Sequence, residues 1–164
     1  MGGKPGPLPR RATPADARVV AQMLFDFNTE FETETPGVDA LTARLESLLA
    51  REDVVAVIAP NAPGADPGEQ GLGLAFLTLR PTPWFDGKLA QLEELYVRPG
   101  FRGSGIGSAL LEMALALVRE HGGEEMHINV DEIDSDARRF YERHGFVNIE
   151  AGCDYRMLSY LRTL

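Results

Sequence analysis

The stretch Leu92-Glu93-Glu94-Leu95-Tyr96-Val97-Arg98-Pro99-Gly100-Phe101-Arg102-Gly103-Ser104-Gly105-Ile106-Gly107-Ser108 constrains the fold more than any other part of the chain. A strand runs into a Gly-rich turn, and the turn opens directly into the strongest helical pattern present, over 105–121. Ile106, Ala109, Leu110, Met113, Ala114, Leu117 and Val118 recur there as one apolar stripe. His121 falls in the last turn and Gly122 is placed to stop the helix. The start of such a helix carries orphan N–H groups and the positive end of the dipole, which together make an anion site. Glycines there let the backbone approach a phosphate closely.

Three readings of the turn compete. A P-loop needs Gly-Lys followed by Ser or Thr, and that run is missing. A dinucleotide fingerprint needs a glycine where counting from Gly103 gives Ser108 and counting from Gly105 gives Leu110. The chain is also short for two nucleotide-binding halves. A purely structural turn is the third reading. Glycines at alternating positions 103, 105 and 107, right at a helix start, speak against it.

The remaining pattern is α/β. Thr13-Pro14-Ala15-Asp16 opens a helix with a Thr cap, Pro at the first helical position and an acid in the first turn. Val19, Val20, Met23, Leu24 and Phe27 follow at helical spacing. A second helix is expected over 38–51, with Leu41, Leu45, Leu48 and Leu49 inward. Strands are expected over 54–59, 71–79 and 89–97, the last two forming a hairpin, with a Pro/Gly/Asp loop over 61–70. A strand over 126–131, a short helix over 135–144 and closing strands over 146–149 and 156–160 complete the expectation. Helices, a hairpin and then alternating strands and helices predict a mixed sheet. At 164 residues and 44% hydrophobic, one domain over 1–164 is expected, with residues 1–8 flexible.

Composition narrows the function classes. A formal charge of −9 argues against a nucleic-acid partner, whose footprint is a basic patch. It is compatible with a cationic substrate, although solubility alone also explains it. No apolar run approaches the length of about 18 residues that a membrane span needs. The N-terminus lacks an apolar core for a signal peptide, and Gly6 breaks the myristoylation pattern. Cys153 is the only cysteine, so no internal disulfide forms and a cytoplasmic location is expected. With three histidines and one cysteine, no metal-binding spacing is present.

Arg102-Gly103-Ser104-Gly105-Ile106-Gly107 resembles the R-x-x-G-x-G acetyl-CoA motif of the GNAT superfamily of N-acetyltransferases. Ala137-Arg138-Arg139-Phe140-Tyr141-Glu142-Arg143-His144-Gly145-Phe146 is similar to that family's second landmark, a helix carrying F-Y-x-x-x-G-F. The resemblance extends over nearly the whole chain and implies a mixed, mostly antiparallel central sheet flanked by about four helices. Pro83-Trp84, Gly87-Lys88-Leu89, Leu92-Glu93-Glu94 and Phe140-Tyr141-Glu142-Arg143 are also similar, more weakly, to the spermidine/spermine and thialysine acetyltransferase branch.

The resemblance implies acetyl-CoA as acyl donor, with its pyrophosphate on the backbone from Arg102 through Gly103, Ser104, Gly105, Ile106 and Gly107 to Ser108. It places the acyl-pantetheine arm along Leu95, Tyr96 and Val97, with N–H groups near Tyr96 polarising the thioester carbonyl. Arg138 and Asp134 belong to the same donor site by position. The family often has Asn where this chain has Asp134, so that contact is open. Tyr141 stands where the family commonly has the Tyr that protonates the leaving thiolate.

A lysine-like amine has a pKa of about 10.4, so it arrives protonated and needs a base. Glu93 and Glu94 are expected on opposite faces of their strand. Glu93 matches the proposed base of polyamine acetyltransferases and is preferred, with Glu94 as the alternative. The resemblance places the acceptor between the first two helices and the strands. Glu30, Glu32 and Glu34 would attract a polyamine, lysine analogue or aminoglycoside there, and Trp84 would help wall the pocket. The partner expected is thus a small-molecule amine. A protein lysine or N-terminal acetyltransferase and a non-catalytic acyl-CoA-binding module stay open, as does the choice between monomer and homodimer.

Overall fold

The computed structural model describes residues 8–61 and 70–164. The expected flexible N-terminus and the 61–70 loop therefore fall almost wholly outside the described residues. The chain forms two compact units, one ending at His127 and one from Ile128 to Leu164.

The first unit holds a five-stranded sheet in the order β1-β2-β3-β4-β5. Its strands are β1 (Arg10–Arg11), β2 (Val54–Ala59), β3 (Gly73–Pro81), β4 (Lys88–Val97) and β5 (Gly123–Ile128). β1, β2, β3 and β4 pair antiparallel in succession. The unit also holds α1 (Ala17–Glu30), α2 (Val38–Leu48) and α3 (Ile106–Glu120).

β2 explains the layering. It reads Val-Val-Ala-Val-Ile-Ala, buried at every position, as a strand covered on both faces must be. Val54, Ala56 and Ile58 join α1, α2, Leu74 and Phe76 in one apolar cluster. Val55 and Val57, also buried, point to the other face by alternation, and α3 packs across β2 and β3. The two helical layers thus sandwich the sheet. Gly73 permits a close approach, since a Cβ there would lie 2.8 Å from the Tyr96 carbonyl and 2.9 Å from a Leu110 methyl.

Thr13 and Pro14 open a short 3-10 turn (Pro14–Asp16) rather than the α-helix itself. Asp16 is fully buried and bridges two elements, accepting from Arg10 at 2.8 and 2.9 Å and from Thr13 N–H at 2.8 Å. Burial pushes its pKa up, but these donors outweigh burial and hold it below the ordinary value. Arg10–Arg11 lies just past the stretch expected to be flexible, where no strand is expected. It pairs with Ile58 and Val57 instead, anchored by this ion pair.

The second unit contains α4 (Ser135–Arg143). The closing strands expected over 146–149 and 156–160 are not formed. Met157 N–H to the Asn148 carbonyl, at 2.7 Å, is the backbone bond between those segments. One bond is not a ladder, and Val147 and Tyr160 are left 70% and 89% exposed. The local alternation is strand-like, but a strand exists only with a paired neighbour.

Candidate active site

β4 carries the feature that shapes the site. Phe76 on β3 faces Glu94, while the next residue, Leu77, faces Leu92. Glu93 therefore has no opposite number and forms a β-bulge. A bulge inserts one residue and breaks the period-two alternation of side chains. Glu93 and Glu94, expected on opposite faces, consequently line the same cavity.

That cavity measures about 370 Å³. Its floor is the sheet, through Phe76, Thr78, Glu93 and Glu94. Leu24 and Asn28 of α1 and Leu41, Arg44, Leu45 and Leu48 of α2 form the walls, with Glu34, Thr35 and Pro36 at the lip. The space between the first two helices and the strands is thus a real hollow, with polar and charged groups set among apolar side chains. Ligand sites have that character.

The two glutamates differ. Glu93 is exposed, and its Oε1 accepts the Thr78 hydroxyl at 2.8 Å. Glu94 is half-buried, and burial together with the neighbouring charge of Glu93 pushes its pKa above the ordinary carboxylate value.

The Gly-rich turn follows β4. Gly105 caps α3 at φ 86° and ψ 0°, in the left-handed region, and Gly103 sits at φ 75°. The first backbone bond into the helix from the turn runs from Ala109 N–H to the Gly105 carbonyl at 3.0 Å. The N–H groups of residues 103–108 are therefore left for an outside acceptor. A Cβ added at Gly103 or Gly105 would meet nothing within 4 Å, so the backbone face there is clear. These features fit an anionic diphosphate.

Arg102 is not free in this turn. Its Nη1 and Nη2 donate to both carboxylate oxygens of Glu30 at 2.6 and 2.8 Å, and Nε donates to the Val97 carbonyl at 2.9 Å. Glu30 is therefore tied to the donor-side turn, and of the three expected loop acids only Glu34 lines the cavity. Trp84 is 86% exposed and does not line it. Tyr96 is buried, and its ring stacks on Phe27 at 5.0 Å in the core rather than facing the cavity. Leu95 and Val97 flank it, half-buried.

Within the second unit, Asp134 caps α4, accepting from Ala137 N–H at 3.2 Å. Arg138 donates to the Glu132 carbonyl at 3.0 Å. Tyr141 is buried between Phe140 and Phe146, ring centroids 5.2 and 5.5 Å away.

Sequence reasoning missed Thr78, Asn28 and Arg44. Only Arg44 leaves a local signal, a charge within the stripe Leu41, Leu45 and Leu48. It also missed the clamp of Arg98, whose Nη1 donates to Asp26 and whose Nε donates to the Gly71 carbonyl, both at 2.7 Å. A second hollow, about 470 Å³ and lined by Arg11, Lys88 and His121 among others, contains none of the expected residues. Among the described residues no group of three or more His, Cys, Asp or Glu is placed to hold a metal ion. No helix among them is long and apolar enough to cross a membrane.

Comparison with known proteins bears on the fold and the family. The chain is similar to an Arthrobacter sp. FB24 protein assigned as an acetyltransferase, with 52% identity, a TM-score of 0.87 and 100% of both chains covered. It shares its fold with an aminoglycoside acetyltransferase from an uncultured soil metagenomic sample, solved with sisomicin, at 19% identity, TM-score 0.72 and 95% of both chains. An uncharacterized N-acetyltransferase of Archaeoglobus fulgidus is 36% identical over 75 residues, 43% of this chain and 51% of that protein. The chain thus spans about half the length, or less, of the curated relatives it matches. Residues 24–146 match the sequence profile of the acetyltransferase (GNAT) family, and by that match this chain belongs to the GNAT family.

Proposed function

We propose that one domain, spanning both units, moves an acetyl group from acetyl-CoA to a primary amine of a small cationic molecule. The observation that carries this reading is the bulge that brings Glu93 and Glu94 into one cavity beside the Gly-rich turn's strand. GNAT enzymes generally take acetyl-CoA as acyl donor, and the open amides of residues 103–108 suit its pyrophosphate.

The amine enters as an ammonium ion, drawn by the carboxylates of the cavity. Glu94 takes its proton, directly or through a water molecule. A base whose pKa is raised toward the working pH removes a proton more effectively than an ordinary carboxylate. Burial sustains that raised value, and the carboxylate of Glu93, held beside Glu94 by the Thr78 hydroxyl, adds to it. The neutral nitrogen attacks the thioester carbonyl carbon, with backbone N–H groups near Tyr96 receiving the developing oxyanion. The carbon–sulfur bond breaks as the amide forms, Tyr141 protonates the departing thiolate, and the second proton shed by the nitrogen restores the Tyr141 hydroxyl. The products are free CoA and the N-acetylated amine.

A cavity of about 370 Å³ suits a small acceptor. The test incubates the protein with acetyl-CoA and a panel of amines, peptides included, and follows free thiol. Amine-dependent thiol release with an N-acetylated product in the mass spectrum is expected. No release with any amine would remove the reading.

A further inference from the structure

We propose that the acceptor carries a carboxylate as well as its reacting amine, separated by an apolar spacer, and that Arg44 binds that carboxylate. This rests on the reading of the 370 Å³ cavity as the acceptor site.

Leu41, Arg44, Leu45 and Leu48 follow the i, i+3, i+4, i+7 spacing of one helix face, and all four line the cavity. Leucine on that face is explained by packing, since Leu45 belongs to the core and Leu41 and Leu48 pack against it. Arg44 is not explained that way. Among the described residues, its guanidinium has no carboxylate within ion-pair distance, although Glu34, Glu93 and Glu94 line the same hollow. Those three acids therefore leave the Arg44 donors to a ligand.

The distribution of charge then reads as a template. Acids sit on the β4 floor, a guanidinium sits on the α2 wall, and Leu24, Leu41 and Phe76 offer no polar partner between them. A purely cationic amine answers the acids but is repelled by Arg44. An amine bearing a carboxylate answers both, because a guanidinium fork pairs a carboxylate through two parallel hydrogen bonds. Glu34 at the lip can take a second ammonium where the molecule has one. The class is an amino acid with its reacting amine on a hydrocarbon side chain, or an ω-amino acid.

The chemistry balances without the carboxylate. The nitrogen–carbon bond forms and the carbon–sulfur bond breaks. Of the two protons the nitrogen sheds on going from ammonium to amide, one goes to Glu94 and on to solvent, and the other replaces the proton that Tyr141 gives the thiolate. Arg44 acts on selection only.

The experiment compares matched amines by thiol release, lysine against 1,5-diaminopentane and 6-aminohexanoate against hexylamine. Within each pair the first carries the carboxylate. We expect kcat/KM at least tenfold higher for the carboxylated member, through KM. Arg44→Gln should erase the preference by raising KM for lysine and 6-aminohexanoate, while KM for 1,5-diaminopentane and hexylamine stays level or falls as the repulsion is removed. A thermal melt confirms folding of this exposed-site variant. Equal turnover within the pairs, or a preference that survives Arg44→Gln, would overturn the proposal while leaving acetyl transfer intact. Silence from every amine would instead overturn the reading of the cavity itself.

Discussion

Glu30 and Arg102 face each other in a two-pronged ion pair, at 2.6 and 2.8 Å, across a separation of 72 residues. One turn earlier on α1, Asp26 grips Arg98 at 2.7 Å. Two acids on one helix face therefore hold two arginines on either side of the Pro99–Phe101 turn. The side chain of Arg102 is 44% exposed, so its pair is worth about 1 kcal/mol or less. Its larger consequence is for ligand binding, because Glu30 sets a negative charge beside a site for an anionic donor. Glu30→Gln should tighten acetyl-CoA binding several-fold at low salt, with the gain shrinking as salt screens it. Calorimetry at two ionic strengths measures this. Weaker binding in the variant would mean that Glu30 serves by aiming Arg102.

Gly105 occupies the left-handed region at φ 86°. Valine there costs roughly 1–2 kcal/mol in backbone strain. Its side chain also stands in space that is now clear within 4 Å. Gly105→Val should remain folded in a thermal melt and lose acetyl-CoA affinity by more than tenfold in calorimetry. Unchanged affinity would move the donor site away from this turn.

Glu94 and Glu93 separate by pH. Glu94→Gln should lower kcat by about a hundredfold or more. The acid limb of the wild-type kcat profile should lie above the ordinary carboxylate range, because the base must lose its proton to act. In Glu93→Gln that limb should move part of the way to lower pH, since burial still raises the Glu94 pKa but the added effect of the Glu93 charge is gone. Stability should run the other way. A carboxylate with a raised folded pKa disfavours the folded state above that pKa, so Glu94→Gln should melt higher at neutral pH. The difference should vanish below the ordinary value of 4.5, where Glu94 is protonated whether folded or not. A profile that collapses in Glu93→Gln and survives in Glu94→Gln would reverse the assignment.

Tyr141→Phe keeps the ring between Phe140 and Phe146 and removes only the hydroxyl. If Tyr141 is the acid, turnover should fall about a hundredfold with acetyl-CoA binding intact. Full activity would mean that the thiolate leaves unaided.

Gly73→Ala tests the close approach of β3 to its neighbours. A methyl 2.8 Å from the Tyr96 carbonyl and 2.9 Å from Leu110 forces backbone to move. The cost should be about 1–3 kcal/mol. Chemical denaturation should show it as a lower midpoint, with the slope unchanged if two-state behaviour holds.

Local pattern was enough for the elements whose cause is local. The stripe from Ile106 to Val118 defines α3 because helical periodicity is written in consecutive residues. The Gly-rich turn was legible because positive φ at Gly103 and Gly105 is a property of those residues. The all-buried run Val54–Ala59 is a strand in both readings.

Tertiary structure decided whatever depends on a second segment. A bulge is a mismatch between the counts of two paired strands, so nothing in Leu92-Glu93-Glu94 alone announces that both acids share one cavity. Arg10–Arg11 becomes a strand only because β2 offers an edge, whereas the alternating residues after α4 find no ladder and stay irregular. The partner of Arg102 lies 72 residues away, at the end of α1. The sequence therefore determined which elements and chemical groups this chain has, since periodicity and backbone preference act between neighbours. Which of those groups meet was decided by strand pairing and helix packing, which bring distant residues within hydrogen-bond reach.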